Sequence, residues 1–296
     1  MSEPPVHMAS AEFRRNGYRI IDWVADYLEN VGQYPVLADV EPGAIAARMP
    51  PSAPEEPEPF ERLIEDLDAV VMPGITHWQS PNWFAYFPAN SSPPSVLAEV
   101  ASAGLGVQGM LWSTSPAATE IESRVLDWLV ELLGLPASWR SAGPGGGVIQ
   151  MSASDATHAV LVVARHQNRV RGHAEDMVVY ASNQAHSSVE KGCRVAGIGH
   201  CRVIDVDAEF AMRPDLLRTA VEQDLAAGRI PIAVVSAIGT TGTTACDPVE
   251  AIADIAETFG LWHHVDAAYA GTAMICAEFR GYQAGVERVD SYTFNP

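Results

Sequence analysis

The sequence predicts an α/β fold, a largely parallel sheet with helices on both faces, preceded by a helical N-terminal segment. Three observations carry that prediction. After Gly147, short apolar runs alternate with amphipathic stretches of helical period, the pattern of strand-helix-strand units. The runs are apolar throughout rather than at every second position, as strands buried on both faces must be. Ahead of Gly147 the apolar residues recur at helical spacing only.

Taken in order, Phe13, Ile20, Ile21, Val24, Leu28 and Val31 share one helix face within residues 10–31, with Ser10 placed to cap it. Residues 34–59 include Pro50, Pro51, Pro54, Pro57 and Pro59. Proline removes backbone donors and blocks helix continuation, so this stretch should run extended over a surface. Phe60, Leu63, Leu67 and Val70 mark a second, short helix, and a third covers residues 117–133 before Gly134 and Pro136 stop it. Three helices thus precede any clear strand. A helix over residues 155–169 follows, then strands over 177–181 and 202–206, a helix over 214–227 closed by Gly228, and a strand over 232–238. Asp247 and Glu250 form a capping-box pattern at the head of a helix over 248–259, and a strand over 261–266 ends the series.

Composition excludes several classes. The chain has 296 residues, 48% of them apolar, enough for a substantial core. It carries 37 acidic and 18 basic residues, a formal charge of −19, which repels phosphate backbones and anionic lipid, so neither nucleic acid nor a membrane is an expected partner. Cys193, Cys201, Cys246 and Cys276 form no C-x-x-C pair, so neither a zinc site nor a disulfide framework is expected. The N-terminus MSEPPVHMAS has no basic and apolar leader pattern, and a cytoplasmic location is expected.

Ligands of open α/β sheets sit outside the carboxyl ends of the strands, and four segments qualify. In GPGGGVIQMSASDA, residues 143–156, glycines and the hydroxyls of Ser152 and Ser154 precede a helix. Backbone N–H groups there suit a phosphate, though a serine-capped flexible loop fits equally. Neither the dinucleotide spacing nor a P-loop lysine is present. In HHVDAAYAG, Asp266 ends a buried strand with the small residues Ala267 and Ala268 beside it, and a carboxylate there requires a cationic partner or several donors. A helix-cap aspartate is the plainer reading, and a metal held by His263, His264 and Asp266 is disfavoured because neighbours in a strand point to opposite faces. His186 in QAHSSVEK follows a strand, and Thr240 and Thr241 in IGTTGTT follow another. Each is weak alone. Together they supply a phosphate anchor, a carboxylate for a protonated ring nitrogen, a flat ring to stack and a hydroxyl, the parts that pyridoxal phosphate needs.

The segments ASAEFRRNGYRIIDWVADYL, VMPGITHWQSPNWFAYFP, STSPAATEIES, GGGVIQMSASDATH, NQAHSSVEK, FAMRPDLL, IGTTGTTACDP, LWHHVDAAYAGTA and DSYTFNP resemble, in order, the N-terminal three-fifths of the group II pyridoxal-phosphate decarboxylases, and most of all the aromatic L-amino-acid decarboxylases. The resemblance implies the large domain of the fold-type I PLP-dependent transferases, with a mostly parallel, seven-stranded type of sheet over residues 86–296. It implies a helical dimerisation extension over residues 1–85, a homodimer with active sites at the subunit interface, and a C-terminal small domain that is absent from this chain. In that family FNP is followed by a histidine and the Schiff-base lysine. This chain ends at Pro296, and its one lysine is Lys191.

Carried over position by position, the resemblance implies that Ala153, Ser154 and Asn295 hold the cofactor phosphate. Asp266 pairs with the pyridine nitrogen, His186 stacks on the ring, Ala268 packs on the opposite face and Thr240 approaches the ring substituents. Trp78, Tyr86, Phe87 and Pro88 correspond to the substrate pocket, and Gln108 and Met110 to a loop offered across the dimer interface. Ala89, followed by Asn90, stands where animal members carry a threonine that touches substrate. The implied reaction is decarboxylation of tryptophan, phenylalanine, tyrosine or DOPA, with His186 and Asp266 as the catalytic residues. Decarboxylating aldehyde synthesis and a non-catalytic chain without the lysine are the alternatives. A glutamate-type substrate is disfavoured because WFAYF holds no arginine for a second carboxylate.

Overall fold

A computed structural model describes residues 8–86, 91–170 and 176–296. The chain divides into two compact units, Met1–Gly106 and Val107–Pro296. That division falls later than the 85/86 boundary expected from sequence, because a helix over Pro93–Leu105 belongs with the first unit.

In the first unit, helix α1 spans Ser10–Asn30. Its cap position is Ala9, with no side-chain cap bond, so Ser10 is the first helical residue and not the expected cap. Helix α2, Phe60–Asp66, continues through a wide π-turn at Leu67–Val71. Arg19 pairs with Glu61 at 2.6 Å, and the Trp23 Nε1 donates to Asp68 at 2.9 Å, tying α1 alongside that segment. The proline-rich stretch is extended only in part, since Ala46–Arg48 forms a 3₁₀ turn. Helix α3, Pro93–Leu105, has no counterpart among the expected elements. Pro93 and Pro94 occupy its first turn, where a missing N–H costs nothing, and Ser92 and Ser95 cap each other.

The second unit holds helix α4 (Pro116–Leu132), helix α5 (Ala153–Val170), strand β1 (Met177–Ser182), helix α6 (Ser188–Ala196) and strand β2 (His200–Ile204). Helix α7 (Pro214–Ala226), strand β3 (Ile230–Ala237), helix α8 (Val249–Phe259), strand β4 (Trp262–Ala267) and strand β5 (Ser291–Phe294) complete it. The sheet order is β2-β1-β3-β4-β5 and every pairing is parallel, so five strands of the expected sheet lie among the described residues.

Alternation along each strand divides the core into two layers. Val179 and Ala181 pack with Leu161 and Ala164 of α5 and with Val189 and Cys193 of α6. Val178 and Tyr180 pack with Leu217 and Val221 of α7 and Ile252 and Ala256 of α8 on the other face. Fully burying one such aliphatic side chain is worth about 1.5–3 kcal/mol, so the two layers fix the sheet and with it the positions of the strand ends. The buried Tyr180 hydroxyl donates to Asp224 at 2.8 Å, and Asp224 also meets Arg202 at 2.9 Å and Arg229 at 2.8 Å. Burial would raise the Asp224 carboxyl, but the Tyr180 hydroxyl and the two guanidinium groups hold it below its usual range.

Candidate active site

Helix α5 leads into β1 and runs against the strand direction. Its C-terminal half meets the amino ends of the last strands, where Ala164, Gln167 and Asn168 line a small cleft with Gly260, Leu261, Trp262 and Asp290. A helix rises 1.5 Å per residue and a strand about 3.3 Å. The α5 N-terminus at Ala153 and Ser154 therefore lies towards the carboxyl-end side of the sheet.

Asp266 lies at that carboxyl end, in register with Ala237 of β3 and Thr293 of β5. One carboxylate oxygen accepts the Ala268 N–H at 3.1 Å. Burial pushes its pKa up, while the Ala268 amide and the nearby His186 ring pull the other way. Among the described residues no lysine or arginine pairs with Asp266. The Ala268 carbonyl accepts the Asn295 side-chain amide at 3.1 Å, so one backbone residue links Asp266 to the end of β5.

His186 is exposed in the turn between β1 and α6. Its Nδ1 lies 3.2 Å from the Ser188 backbone N and 3.0 Å from the Ser188 Oγ. A backbone N–H can only donate, so Nδ1 is an acceptor and the neutral ring carries its proton on Nε2.

Thr240 leaves β3 through Gly239, whose φ is +81°. A Cβ at Gly239 would lie 2.7 Å from the Ala270 Cβ and 3.0 Å from the Tyr269 Cδ1, so only glycine lets the β3 and β4 exits approach this closely. The Thr240 hydroxyl is engaged within its own loop, 2.7 Å from the Thr243 Oγ1 and accepting the Ala245 N–H at 3.1 Å. At the head of α5 the Ser152 Oγ accepts the Asp155 N–H at 3.1 Å. The Ser154 hydroxyl has no protein partner among the described residues. An open hydroxyl at a helix N-terminus and a desolvated carboxylate without a counter-ion fit a ligand that is anionic at one end and cationic at the other.

Asp247 differs from its expected role. Helix α8 has Pro248 at its cap with no side-chain cap bond. The Asp247 carboxylate instead accepts the Met212 N–H and the Ala237 N–H, each at 2.7 Å. It holds the end of β3 to the strand-like turn before α7, a tertiary role that no local spacing announces. His263 and His264 are buried on opposite faces of β4, with Nε2 of His263 2.8 Å from the Ser236 Oγ and Nδ1 of His264 2.9 Å from the Ser291 Oγ. Desolvation pushes them down to about 3 and about 4. No group of three or more metal-ligating side chains occurs among the described residues.

In the first unit Trp78 stacks on Trp83 at 4.6 Å and on Tyr86 at 5.7 Å between ring centroids. Tyr86 has φ +57°, a conformation that costs a non-glycine residue and is retained where structure over-determines it. Phe87, Pro88 and Ala89 lie outside the described residues. In the second unit Met110 and Gln108 sit on an exposed loop before α4, where the Gln108 carbonyl accepts the Thr114 hydroxyl at 2.8 Å.

The all-parallel sheet, with a desolvated aspartate without a cationic partner at the carboxyl end of β4, defines an α/β domain of the fold-type I class. The chain belongs to the pyridoxal-dependent decarboxylases, whose conserved domain matches residues 42–296. It is 47% identical to a phenylacetaldehyde synthase of Arabidopsis thaliana, over 97% of this chain and 60% of that protein. It is 46% identical to an aromatic-L-amino-acid decarboxylase of Bos taurus, over 98% of this chain and 62% of that one. The crystal structure of Catharanthus roseus tryptophan decarboxylase in complex with L-tryptophan superposes with a TM-score of 0.95 at 43% identity, covering 98% of this chain and 64% of that one. The chain thus spans about three-fifths of the length of these relatives.

Proposed function

We propose that the protein decarboxylates an aromatic L-amino acid, of the tryptophan, phenylalanine, tyrosine or DOPA type, to the amine and carbon dioxide. The observation that carries this reading is Asp266, a carboxylate raised by burial, with no cationic partner among the described residues and His186 close by. A protonated heteroaromatic nitrogen supplies the counter-charge that such a group lacks. When bound, pyridoxal phosphate supplies a protonated ring that draws off the electron pair left at Cα as carbon dioxide departs.

The chain's own residues hold and orient that group, and the activity requires the Schiff-base lysine expected after FNP, which is not among them. Ala153, Ser154 and Asn295 hold the phosphate, and Asp266 keeps the proton on the ring nitrogen. His186 covers one face of the ring and Ala268 the other. Thr240 approaches the ring substituents. By the family resemblance, Trp78, Tyr86, Phe87, Pro88 and Ala89 belong to the segment that meets the aromatic substrate, and Gln108 and Met110 to the loop offered across the dimer interface.

The working form is a homodimer in the cytoplasm, with the helical segment up to residue 85 as the dimerisation extension. The exposure of Val107, Met110, Leu111 and Trp112 in one short stretch supports a covered surface there. Sedimentation of an active monomer would refute the dimer.

The identity to a phenylacetaldehyde synthase favours one second reading, in which dioxygen and water are consumed and aldehyde, ammonia and peroxide leave with the carbon dioxide. Measuring amine, aldehyde, peroxide and carbon dioxide from one reaction of the full-length protein separates the two. No carbon dioxide from any aromatic amino acid would refute both.

A further inference from the structure

The segment that delivers the α5 N-terminus is held in an unusual way. Residues 141–152 contain neither helix nor strand, and every one of them is exposed, including Val148, Ile149 and Met151. Apolar burial therefore does little to fix its path, and Gly145, Gly146 and Gly147 leave the backbone free to take many others.

Its start is shaped by the Gly143 N–H to the Arg140 carbonyl at 2.8 Å and the Gly145 N–H to the Ser138 carbonyl at 3.0 Å, and the rest is held along one side of α4. The Glu122 Oε1 accepts the Ile149 N–H at 2.7 Å. The Asp127 carboxylate accepts the Ser141 N–H and hydroxyl, each at 2.7 Å. Glu131 pairs with Arg140 at 3.0 Å. Between these ties, a Cβ at Gly147 would lie 3.2 Å from the Leu126 Cδ1, so the loop runs close along the helix. The Glu122 tie is the last before Ser152 opens α5, and it is charge-assisted.

We infer that Glu122 is a positioning residue for the phosphate anchor, with Asp127 fixing the start of the same loop. This rests on the reading that Ala153 and Ser154 receive the cofactor phosphate. Glu122 touches neither cofactor nor substrate. It sets where the first-turn N–H groups and the Ser154 hydroxyl stand, so its loss falls on recognition of the phosphate and spares recognition of the ring.

The test compares binding of pyridoxal phosphate and of pyridoxal, which lacks the phosphate, to the whole protein by absorbance titration. Glu122→Ala should weaken pyridoxal phosphate about tenfold, the worth of one hydrogen bond to a charged acceptor, and leave pyridoxal unchanged. Glu122→Gln keeps an acceptor carbonyl and should restore most of the preference. Asp127→Asn, the second variant should the alanine form fail to fold, should lower the same preference by a smaller factor. Equal weakening of both ligands, unchanged pyridoxal phosphate binding, or a glutamine variant as weak as the alanine one would overturn the inference. A wild-type protein that binds both ligands equally would overturn the phosphate-anchor reading itself, and the inference with it.

Discussion

Replacing Gly239 with alanine tests whether the contact between the β3 and β4 exits sets the geometry around Thr240 and Asp266. Two costs add at this position. The backbone has φ +81°, which costs an L-residue about 1–2 kcal/mol. The new Cβ would also stand 2.7 Å from the Ala270 Cβ and 3.0 Å from the Tyr269 Cδ1, and relieving such overpacking costs about 1–3 kcal/mol. The expected loss is therefore about 2–5 kcal/mol. Two other glycines separate the contributions. Gly228 has φ +76° with nothing within 4 Å, and Gly242, in the same loop as Thr240, has open space and no positive φ. Gly228→Ala should cost about 1 kcal/mol through backbone strain alone, and Gly242→Ala should stay within about 0.5 kcal/mol of the parent. Urea unfolding of the three variants gives the ranking directly. A Gly239→Ala protein no less stable than Gly228→Ala would show that the two exits are not in tight contact, and the geometric argument would fall.

Three further outcomes are expected. Asp266→Ala should abolish carbon dioxide release while some pyridoxal phosphate still binds; a near-normal rate would sink the assigned role. Asp224 has a lowered pKa, so its contribution to stability is present above its ordinary value of 3.8 and is lost as pH falls through the lowered one. Asp224→Ala should flatten that acid limb and cost about 2–4 kcal/mol at neutral pH, because the buried Tyr180 hydroxyl loses its acceptor while the half-exposed arginines can turn to water. An unchanged limb would contradict this. His264 has its pKa pushed down from 6.5 to about 4, so the neutral ring stabilises the fold above pH 6.5. That stability, on the order of 3 kcal/mol, is lost between 6.5 and about 4. His264→Asn, which keeps a partner for the Ser291 hydroxyl, should remove that dependence, and calorimetry across this pH range reads it.

Where sequence was a sufficient guide, the physics was local. The strands show as apolar runs because both faces are covered, and Asp266 and His186 stood out because each follows such a run. The failures have tertiary causes. Helix α3 hid behind Pro93 and Pro94, a residue type that breaks helix interiors and here fills the first helical turn. Asp247 matched a helix-cap spacing, yet its two acceptor bonds go to Met212 and Ala237, far from it in sequence. Glu122 is, by its local sequence, one more acid on the amphipathic helix α4. Only the course of a loop some way down the chain gives it a task.

The order of the strands also has a consequence for how the molecule is made. Synthesis delivers β1, β2 and β3 first, and these already form a contiguous sheet with β1 at its centre. Strand β4 then adds to one flank and stays an open edge until β5 arrives. The residues that meet at the end of β4 thus come together only after the β1–β3 sheet has formed: the Asn295 amide can reach the Ala268 carbonyl only once β5 has docked. A nascent chain should accordingly protect the amides of β1 and β3 from hydrogen exchange before those of β4, and simultaneous protection of all the strands would count against this sequence of events.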